Sequence, residues 1–170
     1  MNKAEKTMLF ELLSAMTEET GVSYNPDIPM VVVHPLGVFK NVASAKTFER
    51  IKYVDDMESF LQSHNREVLV LEDLNRIIQT KEWVRSLRKN KTIFMPTYNE
   101  SPEPLKGYGE FIKAVKRTGS PKIGLAGGFY QENSTGCLGA IERILHAERI
   151  QTELIKGLYY NLELAITIPV

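Results

Sequence analysis

Several features that would narrow the function of this sequence are missing from it. There is one cysteine, Cys137, in 170 residues. No disulfide can therefore form within the chain, and a reducing compartment, the cytoplasm, is the expectation. The 21 Lys and Arg balance 21 Asp and Glu, leaving no net field to draw in nucleic acid or an anionic membrane surface. No run approaches the ~18 apolar residues of a membrane span. The N-terminal stretch MNKAEKTMLFELL, interrupted by Glu5 and Glu11, offers no apolar core of signal-peptide length. Internal repeats and low-complexity tracts are absent as well. One domain over residues 1–170 is the simplest organisation, large enough to bury roughly 70% of the surface its unfolded form exposes.

What is present is an ordinary globular mixture, 43% apolar and 25% charged, with a clear alternation of patterns. Met8, Leu9, Leu12, Ala15 and Met16 recur at helical spacing and predict a helix over 4–19, stopped by Gly21. The β-branched run Met30–Val33 predicts a buried strand, ended by His34-Pro35-Leu36-Gly37, with a short helix over Ser44–Ile51. Asp55 with Glu58 fits a capping box opening a helix to about His64. Strands are expected at Glu67–Leu71, Thr92–Met95, Lys122–Ala126 and Ile150–Ile155, and a sixth in the tail NLELAITIPV. Helices are expected at Asn75–Arg88, Leu105–Arg117 and Thr135–Glu148. Strand and helix in turn imply an α/β class. The expected architecture is three-layered, a mostly parallel sheet of five or six strands with helices on both faces, Rossmann-like or flavodoxin-like. The basic cluster Arg85, Arg88, Lys89 and Lys91 reads as the solvated C-terminal end of a helix, where cations suit the dipole.

In open parallel sheets, ligands bind beyond the carboxyl ends of the strands. That rule selects His34 from the first strand end, Glu72 and Asp73 from the second, Thr97, Tyr98 and Asn99 from the third, and Gly127 through Cys137 from the fourth. The last is the most informative stretch. In IGLAGGFYQENSTGCLGAIERIL an apolar strand breaks at Gly127-Gly128, crosses a polar loop and re-enters a helix. Such a layout aims backbone N–H groups and the positive end of the helix dipole at the rim, which favours an anion. Neither the three-glycine dinucleotide pattern nor a Gly-Lys-Ser/Thr phosphate loop is present; no cofactor is identified, and Glu72 with Asp73 could hold a divalent cation, although capping of the next helix by Asp73 is the favoured reading and no metal ligand is assigned.

The ligand-binding candidates are Gly127, Gly128, Tyr130, Ser134, Thr135, Thr97, Tyr98 and Asn99. The catalytic candidates are Cys137, whose thiol a helix N-terminus can activate, His34 as its base, and Glu72 to orient a substrate. His146 lies nine residues along the same helix, about 13 Å of rise from Cys137, and is the weaker base. Each has a plainer reading: Cys137 as a small packed residue between Gly136 and Gly139, and Asp73 as the cap of the next helix. An adjacent acid pair on a strand points to opposite faces, so one of the two is expected to reach a site.

The strand–loop–cysteine–helix layout resembles the cysteine segment of isochorismatase-like hydrolases over about twenty residues. That family's Asp near the end of the first strand and Lys after a middle strand have no counterpart in MVVVHPLG and TIFMPTYNE. The Gly-to-Cys loop is also longer, so membership does not follow.

The functional expectation is a small-molecule-binding α/β protein that takes a small anionic ligand at the Gly127–Cys137 loop, and in its sharper form an enzyme acting on a phosphorylated or carboxylated metabolite. The alternative is a non-catalytic assembly or interaction protein on the same fold, with the apolar tail pairing two copies into a homo-oligomer.

Overall fold

The β-branched and leucine-rich runs form strands that are buried on both faces, which is why they read as continuous apolar stretches rather than alternating ones. The structure, a computed structural model, describes residues 25–36, 47–130 and 136–161. The predicted helix over 4–19, the sixth strand beyond Asn161, and the candidates Ser134 and Thr135 lie outside the described residues.

Five strands, β1 (Met30–Val33), β2 (Val68–Asp73), β3 (Thr92–Thr97), β4 (Lys122–Tyr130) and β5 (Gln151–Asn161), alternate with four helices, α1 (Thr47–Ser63), α2 (Ile77–Leu87), α3 (Gly107–Lys116) and α4 (Gly136–Ala147). All neighbouring strands are parallel, in the order β3-β2-β1-β4-β5. This is the Rossmann order through its fifth strand, and strand progression reverses between β1 and β4.

Right-handed crossovers fix the layers. Connections running from β1 towards β3 place α1 and α2 on one face; those running from β3 through β4 to β5 place α3 and α4 on the other. Side-chain alternation then builds two cores. Met30, Val32, Val68 and Val70 pack with Met57, Phe60 and Leu61 of α1 and Val84 of α2. Val31, Val33, Leu69 and Leu71 pack with Phe111 and Val115 of α3 and Leu138, Ile141 and Leu145 of α4.

Two local expectations are corrected. Asp55 and Glu58 do not open a helix: they lie inside the 17-residue α1, which carries no Pro or Gly to interrupt it. Glu58 instead accepts a hydrogen bond from Trp83 Nε1 of α2 at 2.8 Å. The Gly127-Gly128 pair, expected to begin a loop, continues β4 to Tyr130. The pairing of β4 with β5 shifts register on either side of Gly127, so the glycines sit in an irregular strand end.

Candidate functional site

The carboxyl ends of β1, β2 and β3 meet in a buried polar network that no single segment of the sequence contains. Glu72 and Asp73 end β2, one on each face of the sheet, and their residues are 0% and 1% exposed. Glu72 Oε2 accepts the Leu36 backbone N–H at 3.0 Å and the Thr80 hydroxyl at 3.1 Å. Its Oε1 accepts the Asp73 N–H at 3.1 Å. Asp73 Oδ1 accepts the Thr97 hydroxyl at 3.3 Å and the Glu100 N–H at 3.2 Å. Arg76, one turn further on, joins the two acids: Nε reaches Glu72 Oε1 at 3.3 Å and Nη2 pairs with Asp73 Oδ2.

His34 completes the network from β1. It is buried, in a left-handed backbone conformation (φ 45°) that is uncommon for a residue with a side chain. Its Nε2 lies 3.3 Å from Asp73 Oδ1 and 3.1 Å from Thr97 Oγ1. Burial lowers its pKa below the ordinary histidine value. The negative charge of Glu72 opposes that shift, the Arg76 charge reinforces it, and a hydrogen bond to the Ser101 backbone opposes it. The shift favours the neutral ring. Through these bonds the loops after β1, β2 and β3 are tied to one another, with Leu36, Asp73, Glu100 and Ser101 as their anchoring points.

Asp73 therefore does not cap α2, contrary to expectation. The N-cap position is Arg76, without a side-chain cap bond, and the Asp73 oxygens are taken by His34, Thr97, Glu100 and Arg76. Nor does only one acid of the pair reach the rim, because the long Arg76 side chain spans both faces. Arg76 and Thr80 are not among the strand-end candidates; the one signal for them in the sequence is their spacing of four and eight residues from Glu72.

The fourth strand end is built differently. Gly127 pairs with Val33 in register and has φ 99°, and a Cβ there would run into the Val33 carbonyl. Its missing side chain serves the approach of β4 to β1. Gly136, at φ 76°, opens α4 against the Phe129 carbonyl in the same way. Cys137 sits in the first turn of α4, half-buried, and packs against the α3/α4-side core. Burial pushes its thiol above the ordinary cysteine value, with a hydrogen bond at the Phe129 backbone opposing the shift. It shares no hydrogen bond with His34. Gly128 is buried, and Tyr130 is half-buried with its ring edge-on to Tyr159 at 5.6 Å. Of the third strand end, Thr97 is buried in the network, Tyr98 is 52% exposed, and Asn99 is exposed.

The structure thus brings together His34, Glu72 and Thr97, adds Asp73, Arg76 and Thr80, and leaves Cys137 in a separate environment. Among the described residues no three His, Cys, Asp or Glu side chains are grouped to hold a metal ion, and no helix is long and apolar enough to cross a membrane. Compared with protein-family models, curated proteins and solved structures, the chain matches none.

Proposed function

We propose that this protein binds a small anionic metabolite at the carboxyl rim of its sheet, in a crevice above the neighbouring strands β1 and β4, where the chain connections leave in opposite directions. The observation that carries this reading is the reversal of strand order between those two strands. Connections leaving in opposite directions open a crevice there, and α4 starts beside it with N–H groups that the helix does not itself satisfy. In this reading Ser134, Thr135 and the backbone around Gly128 and Tyr130 hold the anion, while Thr97, Tyr98 and Asn99 border it. The sharper form is an enzyme acting on a phosphorylated or carboxylated metabolite, with Cys137, His34 and Glu72 in catalytic roles.

A second reading, a non-catalytic assembly or interaction protein, draws on the state of those same three groups. The Glu72 oxygens are committed to Leu36, Asp73, Arg76 and Thr80, His34 Nε2 is committed to Asp73 and Thr97, and the Cys137 thiol is raised rather than activated.

Thermal unfolding against nucleotides, sugar phosphates and small carboxylates, each with and without magnesium, separates the two. Ligand at a hundred times its Kd adds about 2.7 kcal/mol, a rise of roughly 5–11 °C at this size. A shift that the Ser134→Ala/Thr135→Ala variant abolishes supports the rim site. A flat panel favours the assembly reading, which sedimentation at micromolar concentration then tests.

A further inference from the structure

The edge strand β3 differs from its neighbour in a way that the topology explains. Every residue of β2 is buried, whereas the first five residues of β3 are only half-buried. The chain must cross from β3 at one edge to β4 on the far side of β1. Helix α3 therefore packs Phe111, Ala114 and Val115 into the core over the sheet centre, and the outer strand is left partly bare. The loop after β3 then folds back on that edge. The Leu105 N–H donates to the Pro96 carbonyl at 2.9 Å, and Thr97 bridges to Pro104.

The result is a cavity of about 250 Å³ lined by the half-buried Ile93, Phe94, Met95 and Pro96 and the buried Pro104, with the exposed Lys106 and Glu110 at its mouth. The mouth holds one cation and one acid. Glu110 is the single acid there and pairs with Lys113 at 2.7 Å, and Lys113, Arg117 and Lys106 all act to hold its carboxyl below the ordinary value. Lys106 has no ion-pair partner among the described residues. An apolar lining with a lysine at its entrance, whose neighbouring acid pairs with Lys113, matches an amphipathic monoanion: hydrocarbon leaves water inside, and the charged end keeps partial solvation beside an ammonium. The volume equals that of about eight waters at ~30 Å³ each, which sets the hydrocarbon body at a similar number of carbons.

We propose that the β3-edge cavity binds a small apolar carboxylate, its hydrocarbon body on Ile93 and Met95 between Pro96 and Pro104 and its carboxylate on Lys106. This site is separate from the β1/β4 crevice and does not depend on it.

The test uses the full chain and octanoate as probe, with octanol as the uncharged control and inorganic phosphate as the anion without a body. Calorimetric titration is expected to show octanoate binding about ten-fold more tightly than octanol, and phosphate not binding. Lys106→Met, an exposed substitution checked for fold by circular dichroism, is expected to weaken octanoate about ten-fold and leave octanol unchanged. With methyl-labelled methionine, the Met95 resonance should move on addition of octanoate. No binding of octanoate, equal affinity for octanol and octanoate, indifference of octanoate to Lys106→Met, or an unmoved Met95 resonance would each overturn the proposal. The rim reading stands or falls separately, because any ligand found there should bind Lys106→Met as it binds the parent chain.

Discussion

Replacing Arg76 by methionine should destabilise the protein more than any other single change at the carboxyl rim. Its guanidinium is the cation that joins two carboxylates with side-chain exposures of 0% and 1%, while its own side chain is 14% exposed. At the 3.3 Å separation of Nε from Glu72 Oε1 and an effective dielectric constant of ~20, the gross attraction is about 5 kcal/mol for that contact alone. Desolvation offsets much of it in the intact pair, but the acids stay buried once their partner is gone, so the net loss should be about 3–5 kcal/mol. For a chain of this length that corresponds to a fall in Tm of roughly 6–20 °C. Urea unfolding at pH 7.5, followed by fluorescence of the single tryptophan, Trp83, measures it. Adding Glu72→Gln to the Arg76→Met background removes one uncompensated charge and keeps an oxygen for the Leu36 N–H or the Thr80 hydroxyl, so the double variant should recover a substantial part of the loss. A loss below about 1 kcal/mol in the single variant, or a double variant less stable than the single, would refute the account of the network as a charge-compensated cluster.

Acidification should weaken the fold through its buried histidines. His64 is fully buried, and burial together with the Arg88 and Arg66 charges brings it down to about 4 from 6.5; below pH 6.5 the unfolded chain takes up a proton that the folded chain refuses. Stability therefore falls as pH drops from 6.5 towards 4, by about 2 kcal/mol at pH 5 from His64 alone, with His34 acting in the same direction. Urea midpoints at pH 7.5 and 5.0 should show a smaller drop in His64→Gln than in the parent. Gly127→Ala combines a φ of 99° with collision against the Val33 carbonyl and should cost more than about 2 kcal/mol. Gly119→Ala, with φ 70° and open space around it, should cost about 1 kcal/mol; equal losses would remove the steric argument. Cys137 should react with a disulfide reagent at pH 7.5 at least about ten-fold more slowly than a free thiol, since burial both shields it and raises its pKa. Fast labelling would reopen its case as a nucleophile.

The sequence made the strands and helices of the middle and end of the chain legible because local pattern reflects local burial. Runs such as Met30–Val33 and Val68–Leu71 are apolar without alternation because both faces of the sheet are covered. The sequence pattern misplaces the α1 start because a capping pattern at Asp55 and Glu58 competes with helix continuity, and nothing between Thr47 and Ser63 breaks the helix. The candidate site was legible as a rim and as a set of strand ends, and His34, Glu72 and Thr97 do meet there. That Arg76 holds the two acids together was not, since its role depends on reaching across the end of a strand to both faces of the sheet.

The sequence alone therefore determined the alternation of elements and which residues stand at the carboxyl ends, because hydrophobic period and chain order are local properties. Only the tertiary structure decided the order β3-β2-β1-β4-β5, which brings His34 beside Asp73, requires a bare Gly127 against Val33, and leaves β3 partly uncovered. Strand order is set by which buried faces pack best over long separations in sequence, and no window of neighbouring residues carries that information.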